Sequence, residues 1–350
     1  MRNNEIYLGG HKISDCKLRP PYEQFMQVDA FIAIIGWETR SLNVVSSGSF
    51  YGERCYLIRF DGDDLEPHIV EQAHTEAKKH FKRVEILDFP NALDYEEVMT
   101  RTEEFTSQIA DHGLGTCVVD YTSMPRSITQ MIFRKFMVDG FCPYTLWAYS
   151  PGLYDQTELV ASGLSQGASK FFSIRGALGN GGMASERVAV LALGADRSLV
   201  RSFIREHSFD RFHFLDARSS HSPALGGRID EQRLWLQSDL GILPESFISC
   251  DAESVVQTIK VFLEIANGYP AESGVSIELF SSGPKTHSVA AATLLTSFKN
   301  IRLVGRRPDR YIRMDVKSAE EIALTTVIDY TNPRVFKELL RLRAGGTNPQ

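Results

Sequence analysis

With 350 residues, 43% apolar and 23% charged, the chain has enough apolar material for two cores at ~150 residues each. A net charge of −6 argues against an extended nucleic-acid surface, although a local basic pocket stays open. No apolar run (Ala30 to Gly36 is among the longest) nears the ~20 residues of a membrane span, the N-terminus lacks the apolar core of a signal peptide, and the five cysteines form no CxxC pair, so reduced, structural thiols in a cytoplasmic chain with no membrane partner are expected.

Residues 1–28 give no regular pattern. Gly9-Gly10-His11-Lys12 reads as a turn and Pro20-Pro21 breaks any element, which predicts an N-terminal extension packed on the first domain. Residues 29–36, Asp-Ala-Phe-Ile-Ala-Ile-Ile-Gly, form a short apolar run of the kind buried on both faces of a parallel sheet. The polar turn Trp37-Glu38-Thr39-Arg40-Ser41 follows, then a helix from near Leu42. Strands over 55–60, 84–89, 116–121 and 144–149 alternate with helical patterns over 65–81, 94–112 and 125–138. That alternation predicts a doubly wound parallel sheet spanning 29–155.

Residues 156–186 read as a linker, flexible by composition across Gly176-Ala177-Leu178-Gly179-Asn180-Gly181-Gly182. The pattern restarts over 187–315, with strands at 187–193, 212–215, 247–250, 275–280 and 301–304 and helices at 197–207, 252–266 and 284–297. Ser222 to Gly227 reads as a loop. In the C-terminal extension, 316–350, Ser318 to Glu321 has the spacing of a capping box ahead of a helix or extension, and Pro333 to Arg343 reads as a helix.

The halves align by eye. Arg40-Ser41-Leu42 and Arg197-Ser198-Leu199 lie 157 positions apart, the strand ends Asp61 and Asp216 155 apart, and the prolines Pro151 and Pro308 157 apart. The turns Ser123-Met124-Pro125-Arg126 and Ser282-Gly283-Pro284-Lys285, each a Ser-x-Pro-base sequence after a strand, lie 159 apart. These landmarks predict an α/β chain of two tandem Rossmann-like domains related by internal duplication; two unrelated α/β domains sharing strand–turn–helix grammar are the alternative.

In an open parallel sheet, ligands bind beyond the carboxyl ends of the strands, where strand order reverses. In a 3-2-1-4-5 order that point lies between strands 1 and 4. The first half then gathers Glu38, Arg40, Ser41, Thr122, Ser123 and Arg126, and the second gathers Asp196, Arg197, Ser198, Ser281, Ser282 and Lys285. Bases, hydroxyls and the N–H groups of a helix's first turn suit a phosphate or phosphodiester. Asp61 and Asp216 are placed to accept from a ribose hydroxyl, or simply to cap a helix. Tyr121, Tyr149, Trp37 and Tyr154 either stack on a base or belong to the core. His287, near Lys285, is a general acid–base candidate or a helix-surface residue, and His213, in a strand, reads as structural. GxSxG, HExxH, GxxxxGK[ST] and GxGxxG are all absent, and no metal or cofactor is expected.

The layout resembles the CRISPR-associated Rossmann-fold (CARF) family and its fused two-copy relatives, the SAVED domains. Those families carry one polar motif after strand 1 and another, typically glycine-rich and ending in Lys or Arg, at the strand 4–helix junction; Ser282-Gly283-Pro284-Lys285 is similar. Pro125 and Pro284 depart from the pattern, as does the absence of glycine in Ser123-Met124-Pro125-Arg126. The resemblance covers about residues 29 to 310. It implies two copies facing each other around a cyclic oligonucleotide, a cytoplasmic place in bacterial antiphage defence, and an effector partner or homo-oligomer, since no effector domain is left over. Two other readings stay open. One is a metal-independent phosphodiesterase or nucleotide hydrolase in which Arg40, Arg126, Arg197 and Lys285 stabilise phosphorane charge. The other is a ligand-free scaffold subunit.

Overall fold

The structure, a computed structural model, describes all residues except 1–3, 24, 63–64, 155–164, 167–169, 175–183, 195–196, 312, 314 and 346–350. The chain forms two compact units, one of Met1–Pro151 with Asp315–Gln350 and one of Gly152–Met314.

The first unit is built on β1 (Glu5–Leu8), β2 (His11–Leu18), β3 (Met26–Ile34), β4 (Phe50–Phe60), β5 (Phe81–Phe89), β6 (Thr116–Asp120), β7 (Tyr144–Tyr149) and a C-terminal strand, Ile322–Asp329. Their order in one eight-stranded sheet is β1-β2-C-terminal strand-β7-β6-β3-β4-β5. The last five are parallel; counted along the chain from β3, they run 3-2-1-4-5. The central strands carry unbroken apolar runs, residues 30–34 of β3 and 117–119 of β6, because both faces are covered there. Phe31, Ala33, Leu57, Val118 and Leu146 belong to one core with Ala73 and Ala77 of α1 (Pro67–Lys78). On the alternate positions, Tyr56 and Phe89 meet Phe105 of α2 (Tyr95–Ala110) edge-on at 5.5 and 6.0 Å. Trp147 lies 5.2 Å from Phe133 of α3 (Arg126–Phe133). Burying such aromatic faces contributes ~25 cal/mol per Å² of apolar area.

The two ends of the chain complete this sheet. The N-terminal residues form the β1–β2 hairpin, which joins the sheet through the C-terminal strand. That strand follows the capping-box sequence, so no helix starts there. Glu321 instead pairs with Lys17 of β2 and with Arg19 just beyond it, and Ser318 Oγ lies 2.6 Å from Ser150 Oγ. The expected terminal helix exists as Val335–Gly345.

In the second unit, β8 (Lys170–Ser173), β9 (Glu186–Ala192), β10 (Arg211–Arg218), β11 (Phe247–Asp251), β12 (Val275–Phe280) and β13 (Ile301–Arg307) form a six-stranded sheet ordered β8-β13-β12-β9-β10-β11. The strands β9 to β13 are parallel and again run 3-2-1-4-5, and β8 is antiparallel on the strand-5 side. Helices α4 (Arg197–Glu206), α5 (Pro223–Leu240), α6 (Val255–Asn267) and α7 (Thr286–Leu294) connect them. Ser222 to Gly227, expected as a loop, instead enters α5: Ser222 is the N-cap, Pro223 takes the first turn and Gly241 closes the helix at φ 65°.

Candidate functional site

In the first unit the strand-1 and strand-4 turns touch. A Cβ on Gly36 would sit 2.9 Å from both Ser123 Cβ and Ser123 Oγ, so only glycine admits this approach. Beyond Gly36 the chain makes a 3₁₀ turn, Thr39–Leu42. Beyond β6, Pro125 caps α3 and Arg126 is its first residue.

Several expected ligand groups are committed to these turns. Thr122 N–H donates to Asp120 Oδ1 at 3.0 Å, and Thr122 Oγ1 accepts from Ser150 N–H at 2.9 Å. Ser41 Oγ donates to Gly36 O at 3.3 Å. Arg40 is 3% exposed; its guanidinium donates to Glu38, to Tyr149 OH at 3.4 Å and to Ser150 O at 3.2 Å. It also lies over the Tyr149 ring at 5.9 Å. Arg40 therefore neutralises Glu38 and ties strand 1 to strand 5, rather than presenting a bare charge. Tyr121 and Tyr149 are buried and stack on each other at 5.4 Å, which assigns them to the core. Among the described residues Ser123 Oγ is buried without a hydrogen-bond partner, an arrangement that costs about 1–3 kcal/mol when left unmet.

Asp61 is not gathered with these groups. It is exposed at the end of β4, its N–H donates to Phe89 O at 2.9 Å, and it borders a groove lined by Arg59, Leu65, Val70, His74 and Ile86. That groove lies one strand outward from β3.

In the second unit the same two turns meet. A Cβ on Gly194 would sit 3.2 Å from Gly283 Cα and from Ser282 O, and one on Gly283 would sit 2.7 Å from Ala192 Cβ and 3.0 Å from Leu193 O. Ser282 Oγ donates to Ala192 O, and Ser282 N–H donates to Phe280 O at 2.8 Å. Ser281 is buried beside it. Lys285 is the N-cap of α7, and Thr286 Oγ1 donates to Ala252 O at 2.6 Å. Asp196 lies outside the described residues. Arg197 and Ser198 open α4, and their side chains also lie outside them.

Two expectations about this unit are overturned. Asp216 does not end strand 2: β10 continues to Arg218, and Asp216 pairs with Ser249 of β11 in register. Its carboxylate is buried, receiving Arg218 at 2.9 and 3.1 Å with Arg233 at 3.7 Å, so it is a structural ion-pair centre. His287 is not a helix-surface residue. It is fully buried, with Nε2 3.7 Å from Cys250 Sγ and its ring edge-on to Phe262 at 6.4 Å. Burial, with the nearby Asp216 and Asp251 carboxylates, pushes the Cys250 thiol up to about 12, so it stays protonated. His213 lies in β10, with Nε2 3.0 Å from Tyr269 OH.

Two polar groups escaped the sequence. Gln232, 1% exposed on α5, donates from Nε2 to Gly194 O. His221 Nε2 lies 3.2 Å from Glu253 Oε2, and Ser219 Oγ donates to Glu253 Oε1 at 2.5 Å. Both involve the segment between β10 and the body of α5, where Pro223 and Gly226-Gly227 hide the helix.

No family model matches the chain, and no curated protein matches it. Similar solved structures include a functionally unknown protein from Pseudomonas aeruginosa PAO1, at 12% identity, 81% of this chain, 93% of that chain and a TM-score of 0.26. The cytoplasmic domain of a prokaryotic cation chloride cotransporter matches at 9% identity, 81% and 96% coverage and a TM-score of 0.26. A universal stress protein from Archaeoglobus fulgidus DSM 4304 matches at 9% identity, 82% and 99% coverage and a TM-score of 0.22. The sheets themselves are those of a mixed α/β, Rossmann-like chain, and among the described residues no helix is long and apolar enough to cross a membrane.

Proposed function

We propose that the chain is a nucleotide-sensing module of a bacterial antiphage system, binding the phosphates of a cyclic oligonucleotide-like ligand where strands 1 and 4 end. One observation carries this reading: in each unit a strand-1 glycine, Gly36 or Gly194, packs against a Ser-x-Pro-base turn that runs into a helix. Backbone approach of this closeness, followed by a helix N-terminus and a base, is the arrangement that attracts phosphate. The shared 3-2-1-4-5 order, each with an antiparallel strand beside strand 5, supports a common origin for the two units. In this reading the bases at the two helix starts, Arg126 in the first unit and Lys285 in the second, face the ligand's charge. An effector partner or a second copy of the chain completes the signalling step.

Isothermal titration of the full chain with cyclic oligonucleotides tests the reading. The parent protein is expected to bind at least one, and the Arg126→Ala, Lys285→Ala double variant to lose that binding by tenfold or more while melting normally. Equal binding by the two proteins would remove the phosphate turns from the account, and conversion of a cyclic input into a linear product would make the chain an enzyme.

A further inference from the structure

At the carboxyl ends of β4 and β5 the sheet face under α1 changes from apolar to charged. Leu57 and Ile86, side by side in register, pack in the core with Ala73 and Ala77 of α1. Two positions on, Arg59 and Asp88 take the same places and pair with each other. Here a groove of about 570 Å³ is lined from both strands and from α1, within the ~300–1,000 Å³ of small-molecule sites. Its floor is apolar: Phe60 is buried, and Leu65, Val70 and Ile86 are half-buried. Pro67, Glu71 and His74, spaced i, i+4, i+7, form the α1 wall. Asp61 and Glu71 are exposed along it, so the groove opens to solvent.

The charge left over at this groove is negative. Arg59 donates to Asp88, with Asp61 a more distant charged neighbour. Among the described residues, the Asp61 and Glu71 carboxylates accept no hydrogen bond. The positive start of α1 is muted, because Pro67 brings no N–H and Glu66 is the N-cap. Asp61, Glu71 and His74 do not come close enough together to share a metal ion, so a cation held here needs a body of its own to cover the floor. We propose that the groove binds a small organic cation, an amine whose apolar body lies on Leu65, Val70 and Ile86 and whose ammonium group faces Asp61 and Glu71. The site is independent of the phosphate reading, since neither Arg126 nor Lys285 borders it.

The test is isothermal titration of the full chain with phenethylamine and tryptamine, with their neutral counterparts 2-phenylethanol and tryptophol, and with adenosine. The parent should bind at least one amine at least about fivefold more tightly than its alcohol, the scale of two partly exposed ion pairs. The Asp61→Asn, Glu71→Gln double variant should close that gap by weakening the amine alone, and should melt as the parent does because both side chains are exposed. A second measurement needs no variant: high salt should weaken the amine and spare the alcohol. A parent that binds neither amine, a gap that survives in the double variant, or a gap indifferent to salt overturns the proposal. So does adenosine bound in place of the amines and lost in Asp61→Asn, which would make Asp61 an acceptor for a ribose hydroxyl.

Discussion

Gly283→Ala tests the junction between strand 1 and strand 4 in the second unit. The added methyl would meet Ala192 Cβ at 2.7 Å and Leu193 O at 3.0 Å. Neither neighbour is the end of a flexible side chain: Ala192 Cβ is fixed directly to the backbone of β9 and Leu193 O is the carbonyl that follows it, so relief requires the turn to withdraw. Overpacking of this kind costs about 1–3 kcal/mol, and the rigid neighbours place it near 3. Ala192→Gly alone loses a buried methyl, about 0.8 kcal/mol, plus about 0.5–1 kcal/mol for glycine inside a strand. In the double variant the 2.7 Å contact is gone and only the carbonyl contact remains. The double variant should therefore lie at least about 1 kcal/mol above the sum of the singles. Urea denaturation followed by circular dichroism reads each term. An unchanged midpoint in Gly283→Ala, or strict additivity in the pair, would show that the two turns are not in contact and would refute the reasoning.

Three further outcomes are expected. Thr122→Val leaves Ser150 N–H without its 2.9 Å acceptor, and should lower urea stability by about 1–3 kcal/mol without the ligand-specific loss expected of Arg126→Ala. Asp216→Asn removes the buried partner of Arg218 and Arg233; because both arginines are partly exposed and can rehydrate, a modest loss of about 1–2 kcal/mol is expected, with titration of cyclic ligands unchanged. His213 is held below its ordinary value near 6.5 by burial and by Arg211. The unfolded chain therefore binds this proton first, so His213's contribution is complete above about pH 6.5 and is lost as pH falls through the folded value. The melting temperature should decline below pH 6.5, and His213→Phe should flatten that decline.

The parallel cores were legible because a strand buried on both faces must be apolar without alternation. Phe31 to Ile35 and Val188 to Leu193 announce themselves, and each is followed by a polar turn. The C-terminal strand was hidden by Ser318 and Glu321, whose spacing imitates a helix cap; Lys17 and Arg19, about 300 residues away in sequence, decide the role of Glu321 instead. His287 was misplaced because α7 is buried all round from Thr286 to Leu294, so it has no polar face for periodicity to report. Asp216 looks like a strand end in sequence because its partners, Arg218 two positions on along β10 and Arg233 on α5, are paired with it only in the folded chain. Gln232 has no motif at all. Its significance lies in the carbonyl of Gly194, 38 positions upstream, and only the folded chain brings the two together.

The central claim, that the strand-1 and strand-4 turns hold a phosphate-bearing ligand, is tested most directly by mass spectrometry of small molecules released on denaturing the freshly purified chain. The expected result is a nucleotide or oligonucleotide present in the parent preparation and absent from the Arg126→Ala, Lys285→Ala double variant. The same species retained equally by both preparations would contradict the claim.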